Sequence, residues 1–593
     1  MKRSHVKKRM LGIAAALVIA VSAMAATAGT KATHTQDLNW RYYGNDLLNQ
    51  RYQNVDEIDP SNVSRLQPAW VVHTGQIAGD ESFEASPIEV DGTVYVPTGN
   101  DAVFALDAST GKQKWVYRPS DMPPLGKLAI CCGHDNRGVA YGDGKIFLGR
   151  LDATLVALDA ASGRKLWQAT VAPWQKGYTI TGAPQFAAGK VVIGISGGEY
   201  EIHGRVTAFD ANSGKPAWRF DTIEASTWAG NSAKNGGVPA WGNPTVDPQL
   251  GLVYITTGNA SPDFNGSHRA GNDLYASSDV ALDLSSGKLR WYFQEVHHDI
   301  WDYDGPSPAI LFTVNRNGRS IAALGHCAKS GQYFILDRRD GKPLFAVNET
   351  KVPQQPAWQH PSPTQPMSTV QALTPLGLQN EPKGYGYNYQ PYFTPADYPM
   401  PVEQPGTEAG CEWPPTAFSP RTNDIYYGAR YEPTGFRGKQ SSIGHPGNTT
   451  KDTGSAFVRP LPGMKYWGYF GATNTRTGKI AWKTKLDEAP LTGPAVAGDL
   501  VFYGETDGKV HAADAETGKN LWTYDVPKQI KNAGGADGAF SVYERNGREY
   551  VVGVFGGSAM ERHLDQKSPV GDAIVAFALP RRVASTSRNS SQP

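Results

Sequence analysis

The feature that most constrains this fold is an eleven-residue repeat that ends in an aromatic side chain. Each copy reads as an apolar residue, Asp or Asn, a turn with Gly at one fixed place, and a closing aromatic. Gly supplies the positive φ that a tight turn needs, and the Asp or Asn side chain can bond its own turn backbone. The seven copies end at Trp115, Trp167, Trp218, Trp291, Phe345, Trp482 and Trp522.

Alternating runs such as GTVYVPT, GKIFLGR and GKVVIGI precede several copies and predict about four strands per unit. Most neighbouring aromatics lie 40 to 54 residues apart, a period typical of propeller blades. Solenoids would need helices or much shorter periods. The repeat therefore predicts an all-β protein, a β-propeller whose tryptophans dock each unit on the next.

The chain ends supply one further unit. LQPAW, which ends at Trp70, reads as the last strand of a blade that YVVGVFGG and AIVAFAL complete. Such ring closure between N- and C-terminal strands removes exposed sheet edges. We therefore predict one eight-bladed propeller over residues 26–580, with an insertion at about 346–460 over the active-site face. The strands around NDIYYGARY supply much of blade six, and residues 581–593 form a disordered tail.

Residues 1–25 are predicted to be a secretory signal peptide. A basic start is followed by LGIAAALVIAV and a small-residue cleavage site at Ala23-Met24-Ala25. No other run approaches the ~20 apolar residues of a membrane span. The segment holds five basic and no acidic residues, so the remaining 52 basic and 56 acidic residues give a net charge of −4. This balance, without a basic run among aromatics, argues against a nucleic-acid partner.

Four cysteines occur, and two of them, Cys131 and Cys132, are neighbours. Usual disulfides span Cα atoms about 4.4–6.8 Å apart, whereas trans neighbours sit at about 3.8 Å, so an adjacent bridge is strained. The alternative is that the two cysteines face different partners, since four cysteines allow three pairings. Cys327 and Cys411 bridge each other or remain free. An exported chain meets an oxidising compartment that permits any of these bridges.

Candidate chemistry lies where the repeat is broken, since no HExxH, GxxxxGK[ST], GxSxG or CxxCH motif occurs. GISGGEYEIHG contains Glu199, YITTGNASPDFNG contains Asn259, and HHDIWDYDGPSP contains Asp302 and Asp304. In an extended backbone the last two carboxylates point to one side. Such oxygens suit a hard cation, although each acid alone reads equally as an ordinary loop or turn residue.

The ordered set resembles a known family. The aromatic-ending repeat, the paired cysteines followed by NRG, and then SGGE, TGN and WDYDG are similar to the quinoprotein alcohol dehydrogenases. The resemblance runs from about residue 37 to 580. These enzymes are eight-bladed propellers that bind pyrroloquinoline quinone (PQQ) together with one metal ion.

The resemblance implies roles for individual residues. Glu199, Asn259 and Asp302 match metal ligands, and Asp302 also matches the general base. Trp241, in VPAWGNP, matches a tryptophan that stacks on PQQ, and Lys329 matches the basic residue beside the quinone oxygens. An adjacent disulfide, Cys131–Cys132, would lie on the other face of PQQ. Residues matched around the cofactor's carboxylates and carbonyls are Glu84, Arg137, Thr181, Ser196, Gly197 and Gly198.

Three of these residues have a second interpretation, and two other positions differ from the family pattern. Thr181 and Ser196 also read as turn residues, and Arg137 as a surface charge. Pro239 stands where the family often has Thr, and Glu412 stands where an Asn is common. Both departures lie near the expected cofactor position, so they bear on affinity or on the choice of substrate.

The activity implied is periplasmic oxidation of a primary alcohol to an aldehyde. The metal would polarise the quinone, hydride would pass to PQQ C5, and Asp302 would take the hydroxyl proton. Without a haem motif, electrons would leave to a soluble cytochrome c. Open alternatives are a dehydrogenase for sugars or bulky secondary alcohols, and a non-catalytic propeller scaffold in envelope assembly. A monomer and a homodimer both remain open.

Asp304 bears on the identity of the metal. In the family, an acid two residues after the catalytic Asp is associated with lanthanide-using enzymes. A trivalent ion favours one more negative ligand, so the resemblance favours a lanthanide(III) over Ca²⁺, with Asp304 as an added ligand. The alternative is that Asp304 caps the turn before Gly305 and Pro306.

Overall fold

The computed structural model describes residues 38–75, 81–316, 318–438, 455–563 and 567–581. The predicted signal peptide at 1–25 and residues 582–593 of the predicted tail lie outside the described residues. The described part is built mainly from antiparallel strands, as the repeat predicted.

Sheets 1 to 4 follow one another along the chain, and each has four antiparallel strands in sequence order. Strand length is short because a turn with Gly or Asp interrupts the apolar runs. The strands of sheet 1 are Ile88–Val90, Thr93–Pro97, Val103–Asp107 and Gln113–Tyr117; of sheet 2, Ala140–Gly142, Lys145–Gly149, Thr154–Asp159 and Lys165–Thr170; of sheet 3, Gln185–Ala187, Lys190–Gly194, Arg205–Asp210 and Pro216–Asp221; of sheet 4, Thr245–Asp247, Leu252–Thr256, Ser278–Asp283 and Leu289–Gln294.

Sheets 5 to 8 continue the pattern with variations. Sheet 5 has three strands, and sheet 7 gains a fifth, Tyr52–Gln53, which pairs in parallel with Ala495–Ala497. The strands of sheet 5 are Ile310–Arg316, Arg319–Cys327 and Tyr333–Asp337, and those of sheet 6 are Ala417–Ser419, Asp424–Tyr431, Trp467–Asn474 and Ile480–Leu486. Besides Tyr52–Gln53, sheet 7 contains Ala495–Ala497, Leu500–Gly504, Lys509–Asp514 and Asn520–Asp525. The strands of sheet 8 are Ser541–Arg545, Arg548–Phe555, Ala573–Ala578 and Gln67–His73.

The predicted insertion forms ordered structure of its own and part of sheet 6. Its separate strands are a hairpin, Val347–Lys351 with Thr364–Ser368, and a sheet of Asn388–Tyr389, Pro401–Glu403, Thr434–Gly438 and Ser455–Val458. Helices are short: the α-helices are Val526–Gln529 and Ala559–His563, and the 3₁₀ turns are Val63–Arg65, Leu125–Lys127, Trp174–Lys176, Gly198–Tyr200, Ala225–Thr227, Ser232–Asn235 and Ala357–Gln359. Within the described ranges, none of the helices has the length and apolar character of a membrane span.

The repeat aromatics join each sheet to the next. Trp115 of sheet 1 covers the turn glycine of sheet 2, because a Cβ at Gly163 would lie 2.5 Å from the indole Cε3. The same indole donates its Nε1–H to the carbonyl of Ala160 at 3.1 Å. A side chain on Gly163 would thus exclude the indole, which explains why Gly and Trp recur together. The corresponding pairs are Trp70–Gly111, Trp167–Gly214, Trp218–Gly287, Trp291–Gly341, Phe345–Gly478 and Trp482–Gly518.

A strand near the start of the described chain shares a sheet with the last strand. Gln67–His73 pairs antiparallel with Ala573–Ala578, with Val71 opposite Val575. The predicted closure between the chain ends is therefore confirmed, as is the place of NDIYYGARY in sheet 6. Trp522 of sheet 7 packs edge-on against Phe577 of sheet 8, with ring centroids 5.4 Å apart. Aromatic packing thus runs from sheet 8 through sheets 1 to 7 and back to sheet 8.

Glu549 on sheet 8 makes folding stability depend on pH. Its side chain is fully buried, Oε2 accepts the Ile58 N–H at 2.9 Å, and Oε1 has no hydrogen-bond partner within the described structure. Burial, with repulsion from nearby acids, raises the pKa of Glu549 to about 8 from 4.5. The folded chain then holds a proton that the unfolded chain releases, so stability falls as pH rises through this window.

We expect Glu549→Gln to remove this loss of folding stability at high pH, because Gln cannot ionise. Between pH 5 and pH 8 the variant should gain on the order of 3 kcal/mol in unfolding free energy relative to the wild type. Denaturant unfolding at both pH values measures the difference. The exposed acid Glu516 offers a control, Glu516→Gln, which should follow the wild type. Parallel pH profiles for wild type and Glu549→Gln would contradict the prediction.

Candidate cofactor and metal site

One cavity collects the residues that the sequence singled out, and about 910 Å³ of space lies within it and its opening to solvent. They reach it from the loop before sheet 1, from loops between sheets and from loops within sheets 3, 4 and 5, so distant segments meet only in the folded chain. All fourteen line the cavity: Glu84, Cys131, Cys132, Arg137, Thr181, Ser196, Gly197, Gly198, Glu199, Trp241, Asn259, Asp302, Asp304 and Lys329.

The adjacent cysteines form a disulfide in the cavity wall. Cys131 and Cys132 are bridged with Cα atoms 3.8 Å apart, and Cys327 is bridged to Cys411. These pairings decide between the alternatives that the sequence left open. A carboxylate oxygen of Glu199 and the two sulfur atoms of the adjacent pair lie within 4.8 Å of one another. The vicinal disulfide therefore borders the acidic part of the cavity.

Arg137 organises one end of the cavity. Its guanidinium lies 2.8 Å from Glu84 Oε2 and 2.7 Å from Asp135 Oδ2. It also lies over two indole rings, 4.9 Å from the centroid of Trp241 and 5.0 Å from that of Trp413. Burial raises the pKa of Glu84 to about 8, although Arg137 opposes the shift. Arg137 is thus a held, buried cation and not a surface charge.

Two hydroxyl groups extend this end of the cavity. Thr181 Oγ1 and Ser196 Oγ are hydrogen bonded at 2.8 Å, and the Thr181 carbonyl accepts the Arg137 N–H at 2.9 Å. Both side chains are largely buried and line the cavity, so their hydroxyl groups are available to a molecule that enters it. A planar polyanion would find hydroxyl groups, a guanidinium and a flat indole here.

A cluster of carboxylates surrounds Lys329 in the same cavity. The Lys329 ammonium lies 3.0 Å from Asp304 Oδ2, 3.4 Å from Asp302 Oδ2 and 3.5 Å from Glu412 Oε1. Thr407 donates its hydroxyl to Asp302 Oδ2 at 2.6 Å. Burial raises the pKa of Asp302 to about 8 and that of Asp304 to about 6, while Lys329 opposes both shifts. A further cation would favour the ionised form of both acids.

Asn259 is oriented with its amide oxygen toward this cluster. Its Nδ2 donates to Asp263 Oδ1 at 2.8 Å, and its backbone N–H donates to Asp304 Oδ1 at 2.6 Å. Oδ1 lies 3.8 Å from where a Cβ on Gly198 would stand, next to Glu199. Asn259 thus lines the same cavity as the carboxylates of Glu199, Asp302 and Asp304, and these are the kinds of oxygen that a hard cation accepts.

The charge of the residues that line the cavity also supports a cation site. Three basic residues, Arg137, Lys329 and Arg430, face eight acids. Buried carboxylates in such excess need protons or cations to balance them. The residues present therefore fit both a metal ion and a planar anionic cofactor. The acids of the lining are Glu84, Asp135, Glu199, Asp302, Asp304, Glu408, Glu412 and Glu561.

The second disulfide positions two of these charges. Cys327 lies two residues before Lys329, Cys411 directly precedes Glu412, and the bridge closes 84 residues of chain. The Cys411 N–H also donates to the Ala328 carbonyl at 3.2 Å. The bridge therefore holds Lys329 beside Glu412, the position where the family pattern has an uncharged Asn.

Sequence reasoning missed several lining residues. Asp135 and Trp413 stand in stretches already singled out, HDNRG and GCEWPP, so their neighbours could have indicated them. The pair Arg430–Glu561, with both guanidinium contacts at 3.0 Å, joins sheet 6 to a short helix near the C-terminus. No local pattern marks these two residues.

Comparisons with known proteins identify the family of the chain. Residues 40–551 match the family model "PQQ: Glucose/ethanol/alcohol dehydrogenase, beta-propeller domain". The chain belongs to the PQQ-dependent quinoprotein alcohol dehydrogenases. The fold of this family domain is a β-propeller, which agrees with the all-β sheets described above.

Individual members of this family are similar over most of their length. Lanthanide-dependent methanol dehydrogenase of Methylorubrum extorquens is 32% identical over 546 residues, covering 86% of this chain and 85% of the relative. Quinoprotein alcohol dehydrogenase PedH of Pseudomonas putida is 30% identical, covering 92% and 91%. Together with Asp302-Tyr303-Asp304, they support the lanthanide-type branch of the family.

Solved structures of quinoprotein dehydrogenases also match this chain over most of its length. A europium-containing methanol dehydrogenase superposes with a TM-score of 0.77 at 27% identity, covering 91% of this chain and 98% of that chain. The quinohemoprotein alcohol dehydrogenase from Comamonas testosteroni gives 0.77 at 29%, covering 93% and 82%. The quinoprotein fold is therefore shared along nearly the whole described chain.

Proposed function

We propose that this protein oxidises a primary alcohol to an aldehyde in the periplasm, using PQQ and one metal ion bound in the cavity. The observation that carries the proposal is the convergence of the disulfide wall, the indole of Trp241, Arg137 and the acid cluster on one cavity. Membership of the PQQ family and the alcohol-oxidising activities named for its relatives support it.

Arg137 and the hydroxyl groups would hold the cofactor. The guanidinium is fixed by Glu84 and Asp135, so it can pair with a cofactor carboxylate without reorganisation. Thr181 and Ser196 would add hydrogen bonds, and Trp241 and the Cys131–Cys132 bridge, which both line the cavity, would contact the two faces of the cofactor as the family resemblance implies. When bound, PQQ supplies the two-electron redox chemistry and the metal supplies Lewis-acid polarisation.

Asp302 would act as the general base on the alcohol hydroxyl. Thr407 and Lys329 contact Oδ2, which orients the carboxylate within the cavity. A cation among Glu199, Asn259 and Asp304 would keep Asp302 ionised near neutral pH, against the effect of its burial. Lys329 adds positive charge at the same end of the cavity.

The choice of metal follows from charge. The cluster offers the carboxylates of Glu199, Asp302 and Asp304 with the amide of Asn259, and Asp304 is buried beside the others. Three negative ligands suit a trivalent ion, so we propose a lanthanide(III) over Ca²⁺. Pro239 and Glu412, the two departures from the family pattern, both line the cavity and would affect affinity or substrate choice.

The remaining parts of the proposal concern architecture and partners. We propose that the eight sheets are the blades of one propeller, since aromatic packing links them in a ring. The insertion lies beside the cavity, to which it contributes Glu412 and Trp413. A soluble cytochrome c would accept the electrons. The predicted signal peptide supports export.

Reconstitution tests this function directly. The purified protein is supplied with PQQ and either La³⁺ or Ca²⁺, and dye reduction is followed with primary alcohols, secondary alcohols and sugars. We expect turnover with primary alcohols, faster with La³⁺. Binding of PQQ with turnover only on sugars or bulky secondary alcohols would favour the dehydrogenase alternative. Failure to bind PQQ with either metal would favour a non-catalytic scaffold.

Arg137→Lys should weaken PQQ binding about tenfold or more, because Lys cannot make the two-pronged contacts of a guanidinium. The variant keeps the positive charge, so the buried acids Glu84 and Asp135 keep a counter-ion. Quenching of tryptophan fluorescence on titration with PQQ measures the affinity. Lys145→Arg on the surface is the matched control, and equal affinities of wild type and Arg137→Lys would contradict the assigned role.

A further inference from the structure

A second cluster of metal-ligating side chains lies between sheets 4 and 5, outside the residues that line the cavity. It consists of Asp279, Glu295 and His326, which are 1%, 0% and 0% exposed. Asp279 lies on Ser278–Asp283, Glu295 directly follows Leu289–Gln294, and His326 lies on Arg319–Cys327. One potential ligand atom from each residue lies within 4.8 Å of the others.

The contacts within the cluster leave most of its polar atoms unsatisfied. His326 Nδ1 lies 2.7 Å from Glu295 Oε1 and 3.4 Å from Asp279 Oδ1. By strict hydrogen-bond geometry, both carboxylate oxygens of Asp279, Oε2 of Glu295 and Nε2 of His326 are unpartnered within the described ranges. The two carboxyl groups nevertheless face each other, and the Ser307 backbone lies beside the imidazole. Buried polar atoms normally have partners, so this number of orphans at one point indicates a missing ligand.

Charge indicates what that ligand is. Among the described residues, neither acid forms an ion pair with Lys or Arg; His326 is the one basic side chain within reach. Two carboxylates within 3.4 Å of one imidazole nitrogen form a ligand set whose charge a divalent cation would neutralise, and metals bind imidazole in its neutral form.

We propose that Asp279, Glu295 and His326 bind one divalent transition-metal ion of the Zn²⁺ class, as a structural site separate from the cofactor cavity. One imidazole nitrogen with two carboxylate oxygens suits Zn²⁺, whereas Ca²⁺ and lanthanides favour ligands that are all oxygen. The two acids come from adjacent strands of sheet 4, paired through Ser278 and Gln294, and the imidazole comes from sheet 5. The ion therefore joins the two sheets.

The site lies directly behind the loop that carries Asp304. A Cβ on Gly305 would stand 2.8 Å from His326 Cε1 and 3.6 Å from Glu295 Oε2. His326 is also three residues before Lys329 on the same strand and loop. An ion here would therefore fix the backbone behind two charged groups of the cavity without touching the cofactor.

Metal analysis of the secreted protein, purified without chelators from medium that contains Zn²⁺, tests the proposal. We expect about one equivalent of zinc per chain in the wild type and a loss to below about a tenth in Asp279→Asn and in His326→Gln. Asp302→Asn, in the cofactor cavity, is the matched control and should retain the zinc. Zinc-free wild type, or equal zinc in wild type and both cluster variants, would overturn the proposal and favour a proton-sharing cluster without an ion.

A second measurement needs no variant. X-ray absorption at the zinc edge of the wild-type protein should show one imidazole nitrogen and light oxygen ligands. A spectrum without imidazole scattering, or with sulfur ligands, would overturn the assignment even if the variants fail to fold. Both measurements are made without PQQ, so they are independent of the proposed oxidation.

Discussion

Asp302→Asn should lower kcat for alcohol oxidation by about 10³-fold, since a positioned general base typically contributes 10² to 10⁴. Asn keeps the size of the side chain and can still accept the Thr407 hydroxyl, which is 2.6 Å from Oδ2. What it loses is the capacity to take the hydroxyl proton. The measurement is steady-state dye reduction at saturating PQQ and metal, with cofactor occupancy checked by absorbance.

A control separates chemistry from orientation. Thr407→Val removes only the hydrogen bond to Asp302, so a loss of about tenfold is expected. If Asp302→Asn retained kcat within tenfold of the wild type at full cofactor occupancy, another group would have to be the base. If Asp302→Asn bound no PQQ, the result would instead assign Asp302 a role in holding the cofactor.

Asp304→Ala should abolish the activity that La³⁺ supports. The activity that Ca²⁺ supports should fall less. Asp304 is buried, and its Oδ2 lies 3.0 Å from the Lys329 ammonium. Removing it takes one negative ligand from a trivalent ion, for which charge neutralisation matters most. The measurement is dye reduction across a titration with each metal, made on the same preparation.

Asp304→Asn tests whether charge is the cause. Asp304 Oδ1 accepts the Asn259 N–H at 2.6 Å, and an Asn side chain can still accept that bond, so the backbone contact is kept without the charge. We expect Asp304→Asn to lose La³⁺-supported activity like Asp304→Ala. Unchanged La³⁺-supported activity in Asp304→Ala would mean that Asp304 only caps the turn before Gly305.

The sheets could be predicted because their determinants are local. Each repeat places Asp or Asn, Gly and an aromatic within eleven residues, and the aromatic then packs on the Gly of the next unit, as Trp115 does on Gly163. The parallel strand Tyr52–Gln53 could not be predicted, because it pairs with Ala495–Ala497, which lies far away in the chain. Its two residues carry no alternating pattern.

The residues of the candidate site also divide into those that the local sequence indicates and those that it does not. Glu199, Asn259 and Asp302 stand in short stretches that interrupt the repeat, so the sequence marks them as candidates, and the resemblance to the family implies their roles. The Cys327–Cys411 bridge and the Arg430–Glu561 pair join segments 84 and 131 residues apart. Only the folded chain brings such partners together, because nothing in the local sequence specifies the distance between them.

The pairing of Gln67–His73 with Ala573–Ala578 has a consequence for biosynthesis. Gln67–His73 has no partner strand until Ala573–Ala578 has emerged, so the growing polypeptide carries an unpaired edge through nearly all of its synthesis. Contacts of such long sequence separation form slowly, and unpaired edges favour association between chains. Truncation before residue 573 should therefore cause aggregation of the expressed protein, whereas the loss of residues beyond Ala578 leaves the last strand of sheet 8 in place.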